Sequence, residues 1–158
     1  MIEHPTDFGP DDIFIMGNIA ALAVQKGHGE QALPILKLVQ EARPENGGAF
    51  TLEAMHLASI GACARAIVLL EGIAIEQMKI NRDETIAFHL ILLQQDKQHK
   101  RAAQLGHAYL ECGLIESPEA REAIRLVVAE CEAGAVAASK KHPVIGRKYA
   151  QHLCDISH

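Results

Sequence analysis

Nine histidines and four cysteines in 158 residues are enough to build a metal centre or a nucleophilic site, provided that their spacing brings them together. The histidines stand at 4, 28, 56, 89, 99, 107, 142, 152 and 158 and form neither an H-x-x-x-H nor an H-E-x-x-H pair. His99 and His107 are eight apart and can share a helix face, but two ligands do not hold a metal. His152 and Cys154 are two apart, so a helix points them in different directions. The cysteines, at 63, 112, 131 and 154, contain no C-x-x-C pair and read as reduced, mostly buried thiols. Ser59, Ser117, Ser139 and Ser157 lie outside any G-x-S-x-G elbow. Gly27-His28-Gly29 is not a phosphate loop, because no strand precedes it and no G-K-[ST] follows. Glu41, Glu45, Glu53 and Glu71 read as helix-surface acids. The expectation is a chain without catalytic residues, metal ligands or a cofactor, one that binds rather than reacts.

The elements that carry these residues are expected to be helices. Apolar residues make up 49% of the chain but aromatic residues only 4%, with no tryptophan, so the apolar bulk is Ala, Leu, Ile and Val. An all-β domain would show more Thr, Tyr and Phe in alternation. The length suits one domain with a real core. A net charge of −5 and a pI near 6.0 argue against a nucleic-acid partner. Residues 1–12 carry Glu3, Asp7, Asp11 and Asp12 without a Lys or Arg. Lys140, Lys141, Arg147 and Lys148 stand against Asp155 near the other end and read as a solvated helix end rather than a phosphate contact. The acidic first residues lack the basic region of a signal peptide. The longest apolar run, Ile13 to Val24, is broken by Gly17 and Asn18 and falls short of a membrane span. A cytoplasmic protein without membrane insertion is expected.

The chain also repeats. Gly27-His28-Gly29-Glu30-Gln31-Ala32-Leu33 leads into Ile35-Leu36-Lys37-Leu38-Val39, and 34 residues later Gly61-Ala62-Cys63-Ala64-Arg65-Ala66-Ile67 leads into Leu69-Leu70-Glu71-Gly72-Ile73. A period near 34 is the tetratricopeptide spacing, a helix–turn–helix unit. Gly27 and Gly61 stand where a first helix, A, must end in a left-handed residue. Ala32 and Ala66 lie on the inner face of a second helix, B, where a small side chain lets the two helices approach. Leu36, Leu70, Val39 and Ile73 continue that stripe. Pro44 closes the first unit, 12 residues after Ala32, and Met78 holds that place in the second.

Three units are expected, at 12–45, 46–80 and 81–115, stacked in a right-handed superhelix after a loose segment 1–11. In the third, helix A spans about 83–94 and helix B about 99–111. Ala102 and Ala103 fall 36 and 37 residues after Ala66, which implies an insertion around Gln95–Gln98. Met16, Ala23, Phe50 and Leu57 replace the usual large aromatics of helix A, Pro34 removes one bond from the first helix B, and Gly47-Gly48 is expected to link the first two units. Ser117-Pro118-Glu119 opens a capping helix over 117–139, and Ile145, Tyr149 and Leu153 mark an amphipathic tail helix over 143–155.

Stacked pairs of this kind line a concave groove with their A helices. Counting along each unit gives its expected face: Phe14, Asn18, Ala21 and Gln25; then Thr51, Leu52, Met55 and Ser59; then Thr85, His89 and Leu92. Such a mixed, largely apolar face suits an amphipathic helix or an extended apolar peptide. Each residue can equally serve as packing between neighbouring units.

From Asp12 to Gln94, with Ala20-Ala21-Leu22-Ala23-Val24 leading into Gly27-x4-Ala32-x11-Pro44 and then Gly61-x4-Ala66, the chain resembles small tetratricopeptide proteins of bacterial type III secretion systems. These include the helical proteins of Hrp clusters and the chaperones of needle or translocator subunits. The resemblance implies a chaperone or assembly protein that masks a cargo helix or peptide in its groove until export. The alternatives are a generic scaffold or adaptor and a self-assembling protein. A mean hydropathy of +0.05 with 22% charged residues is compatible with a buried interface, whether of a homo-oligomer or of a waiting groove.

Overall fold

A computed structural model describes residues 8–141. Those residues form seven α-helices and no strand. They are α1 (Pro10–Gln25), α2 (Gly29–Ala42), α3 (Gly47–Ser59), α4 (Cys63–Glu71), α5 (Arg82–Gln95), α6 (His99–Glu111) and α7 (Pro118–Lys141), with a 3₁₀ turn at Ile75–Gln77 between α4 and α5. The expected tail helix at 143–155 lies outside the described residues.

The first helix begins earlier than expected, at Pro10 rather than Asp12. Pro10 fills the first helical position, where its missing N–H costs nothing, and the Asp12 carboxylate accepts the Gly9 N–H at 3.0 Å. The turns that pair the helices follow the sequence closely. Gly27 and Gly61 both have φ of +81°, and His28 N–H and Ala62 N–H reach back to Ala23 and Leu57 carbonyls, each at 2.8 Å. The third turn repeats this bond from Gln98 to Leu93, again at 2.8 Å, with Lys97 held at φ +61° where the others have glycine. Each turn is three residues long. The expected insertion at Gln95–Gln98 is therefore corrected: α5 has 14 residues against 13 in α3, and Asn81 follows the equivalent cap Asn46 by 35. One extra residue enters before the helix and one within it, so the turn keeps its geometry.

Ala32, Ala66 and Ala102 are all buried, which lets α2, α4 and α6 lie close on α1, α3 and α5. Successive pairs join through α1–α3, α3–α5 and α5–α7, while α2 also packs on α3, α4 on α5 and α6 on α7. One apolar cluster runs through Ile13, Ala20, Leu36, Val39 and Ala49, and a larger one through Leu57, Leu70, Ile86, Leu90, Leu93, Ile124 and Cys131. Leu36 and Leu90 are wholly buried. Truncating either to Ala is of the class that costs about 2–5 kcal/mol.

Two local readings change. Gly47 and Gly48 open α3 rather than linking two units, because Asn46 caps that helix by accepting the Gly48 N–H at 2.8 Å. A Cβ on Gly47 would stand 2.2 Å from the Thr85 hydroxyl, so a larger residue would push α5 away. Ile73 falls outside α4, which stops at Glu71 with Gly72 as its C-cap. Pro34 sits inside α2, and Ser117 caps α7, its hydroxyl accepting the Ala120 N–H at 3.1 Å.

Candidate peptide-binding cleft

A cleft of about 690 Å³ opens between α1 and α3. Phe14, Asn18 and Ala21 form its α1 wall, with Gly17 leaving that wall open between them. Leu36 and Val39 of α2 and Ala49 of α3 form the floor, and Leu52 lies opposite Phe14's helix. Periodicity explains this wall: positions 14, 18 and 21 recur on one helix face, a quarter-turn away from buried Ile13 and Ala20.

The rim is built from the two segments that lead into α3 and α5. They touch through a parallel bridge between Asn46 and Ile80, with Gly47 N–H donating to the Ile80 carbonyl at 3.0 Å and Lys79 N–H to the Glu45 carbonyl at 2.9 Å. Asn81 Nδ2 donates to Asn46 Oδ1 at 2.8 Å. Asn81 itself is left-handed, at φ +57°, a conformation asparagine tolerates better than most residues. Arg43, Glu45 and Asn81 thus place charge and amides at one end of an otherwise apolar cleft.

The expected groove residues do not form one surface. Phe14, Asn18, Ala21 and Leu52 share this cleft, and Phe14 is 70% exposed within a folded chain. Met55 lies about one turn beyond Leu52 and is partly exposed, and Gln25 and Ser59 are exposed at helix ends. Ser59 Oγ donates to the His56 carbonyl at 2.7 Å. Thr51 and Thr85 meet at 3.0 Å, with Thr85 also donating to the Asn81 carbonyl at 2.7 Å. Thr85, His89 and Leu92 are corrected as groove residues: all three are buried, because α5 is covered by α3, α4, α6 and α7 and keeps little free face.

Thr85 and His89 instead border a smaller cleft of about 300 Å³ between α4, α5 and α6. There His89 Nε2 lies 3.0 Å from Glu71 Oε1, and Arg101 pairs with the same carboxylate oxygen. Burial pulls the His89 pKa down, against the opposing pull of its Glu71 hydrogen bond, and Arg101 adds to the lowering. Burial, with help from the charge of Glu76, raises the pKa of Tyr109 on the same cleft.

Polar partnerships that sequence patterns do not display hold the pairs together. Glu53, expected on the surface, is buried beneath Lys37 Nζ at 2.9 Å and Gln40 Nε2 at 2.7 Å, which ties α2 to α3. Buried His56 meets Glu30 at 3.3 Å across the same two helices, and His107 meets Glu132 at 2.8 Å between α6 and α7. The thiols also depart from expectation: Cys131 is buried, Cys63 half-buried, and Cys112 exposed. Burial raises the pKa of Cys63 and Cys131. No group of three His, Cys, Asp or Glu among the described residues could hold a metal ion. No helix among them is long and apolar enough to cross a membrane. Compared with family models, with curated proteins and with solved structures, the chain matches none of them.

Proposed function

We propose that the chain is a tetratricopeptide-like repeat module that holds a segment of another protein in the cleft between α1 and α3. The observation that carries this reading is an exposed Phe14 lining the same cleft as the buried apolar Leu36, Val39 and Ala49, in a space large enough for several side chains. A ring left in water by its own fold gains from an apolar partner, and the amides of Asn18 and Asn81 at the wall and rim suit the backbone of a bound peptide. Three pairs with equivalent turns, joined in series through α1, α3, α5 and α7, support a superhelical stack with α7 as its cap.

The resemblance read in the sequence makes the cargo an aggregation-prone helix of a type III secretion subunit, and the chain its cytoplasmic chaperone. Capture from the native host by the wild-type chain and by Phe14→Glu tests both levels. A partner recovered in near-stoichiometric yield by the first and lost with the second supports the cleft; equal recovery by both overturns it. A captured partner that is insoluble when expressed alone and soluble with this chain makes it a chaperone, whereas a partner soluble alone makes it a scaffold.

A further inference from the structure

The outward face of α1 carries a second feature, beside the cleft. Ile15, Ile19 and Leu22 are 54%, 52% and 57% exposed, and their spacing of four and three residues places them in one line along the helix. Asp11 and Lys26, both exposed, stand at the two ends of that line, in the first turn and at the C-cap. Neither forms a salt bridge among the described residues. An acid at the N-terminus and a base at the C-terminus also suit the helix dipole, but the dipole does not require either to align with an apolar stripe.

The sequence of this face is complementary to itself when reversed. Asp11 and Lys26 are equidistant from the point midway between Asn18 and Ile19, and so are Ile15 and Leu22. Two copies of α1 laid antiparallel about that point therefore set Asp11 against the partner's Lys26 and Ile15 against the partner's Leu22, with Ile19 beside the two-fold axis. A single register satisfies charge and hydrophobic contact together, as a two-fold interface requires. We infer that this face of α1 pairs with the same face of a second copy of the chain. Phe14 and Ala21 lie on the other flank of α1, in the cleft, while Asn18, which the same register sets against the partner's Ile19, borders both surfaces.

The interface is small. Sixteen residues give a contact about 24 Å long, below the size of most stable protein interfaces. The dimer is accordingly expected to be weak, with a dissociation constant on the order of tens of micromolar, and to weaken as salt screens its two end pairs.

Sedimentation velocity of the full chain from about 5 to about 200 μM tests the inference, with circular dichroism confirming that each variant stays folded. Leu22→Glu should raise the dissociation constant at least about tenfold, because it sets a carboxylate against the partner's Ile15. Asp11→Lys or Lys26→Asp alone should weaken pairing several-fold by opposing like charges. The double change Asp11→Lys with Lys26→Asp should restore it to within about twofold, since the charge pairs re-form with reversed sign. A chain that stays monomeric to about 200 μM, as it would with the stripe covered by its own C-terminal residues or by another protein, overturns the inference. So does a dimer indifferent to Leu22→Glu, or a double change no better than the single ones.

Discussion

Single residues carry the contacts that sequence patterns conceal. Glu53 sits at an ordinary helical spacing, and nothing in its neighbourhood says that Lys37 and Gln40 converge on it from another helix. Glu53→Ala removes the carboxylate and leaves the buried Gln40 amide short of a partner, so it should destabilise the fold by about 1–3 kcal/mol, read by urea denaturation. His89 is legible as a histidine but not as a buried one. Its folded pKa is lowered, so the native state holds neutral imidazole while the unfolded chain takes up a proton near the usual value of about 6.5. The stability that neutral His89 permits is complete above that value and is lost as pH falls through it toward the lowered folded pKa. Melting temperature should therefore drop between about pH 7 and about pH 5.5, and drop less in His89→Gln, which carries no titrating ring. Parallel slopes for the two proteins would remove His89 as the source. The thiols divide by the same physics. Cys112 should alkylate rapidly in the native protein, whereas Cys131, buried and with its pKa raised, should react at the rate of unfolding; peptide mapping over a time course separates the two.

At the scale of the helix the sequence is far more informative, because turn chemistry and apolar spacing act locally. Gly27, Gly61, Ala32 and Ala66 announce two helical pairs before any contact is known, and Ser117-Pro118 announces α7. The third pair is less legible because Lys97 occupies the left-handed position without the glycine that would mark it. That residue pays a steric penalty its counterparts avoid, so Lys97→Gly should stabilise the protein by about 1 kcal/mol, seen as a raised denaturation midpoint with an unchanged slope. Gly106 makes the opposite case. It lies inside α6, where alanine is the better helix former, yet a Cβ there would stand 2.2 Å from Val128 Cγ2 of α7. Gly106→Ala should therefore cost about 1–3 kcal/mol by parting α6 from α7. A stabilised Gly106→Ala protein would mean that the two helices adjust freely. The end of α4 at Gly72 and the added residues before and within α5 were not legible, because both depend on how α5 is enclosed rather than on local preference.

For the whole molecule, periodicity identifies which helices stack but not which faces stay open. Phe14, Asn18, Ala21 and Leu52, reached by counting, line one cleft, since α1 and α3 keep a free side. The same count fails at Thr85, His89 and Leu92, where α7 completes the enclosure of α5. The bridge between Asn46 and Ile80, which shapes the rim, pairs two irregular segments far apart in sequence and left no local signal. The central claim is that the α1–α3 cleft, and not the surface at large, receives another protein. It is tested most directly by placing a photo-crosslinking amino acid at position 14 or, as a control, at exposed position 126 on α7, and irradiating the chain in its native host. One dominant conjugate with a single partner at position 14, absent at position 126, is the predicted result. No conjugate at position 14, or the same conjugates from both positions, would contradict the claim.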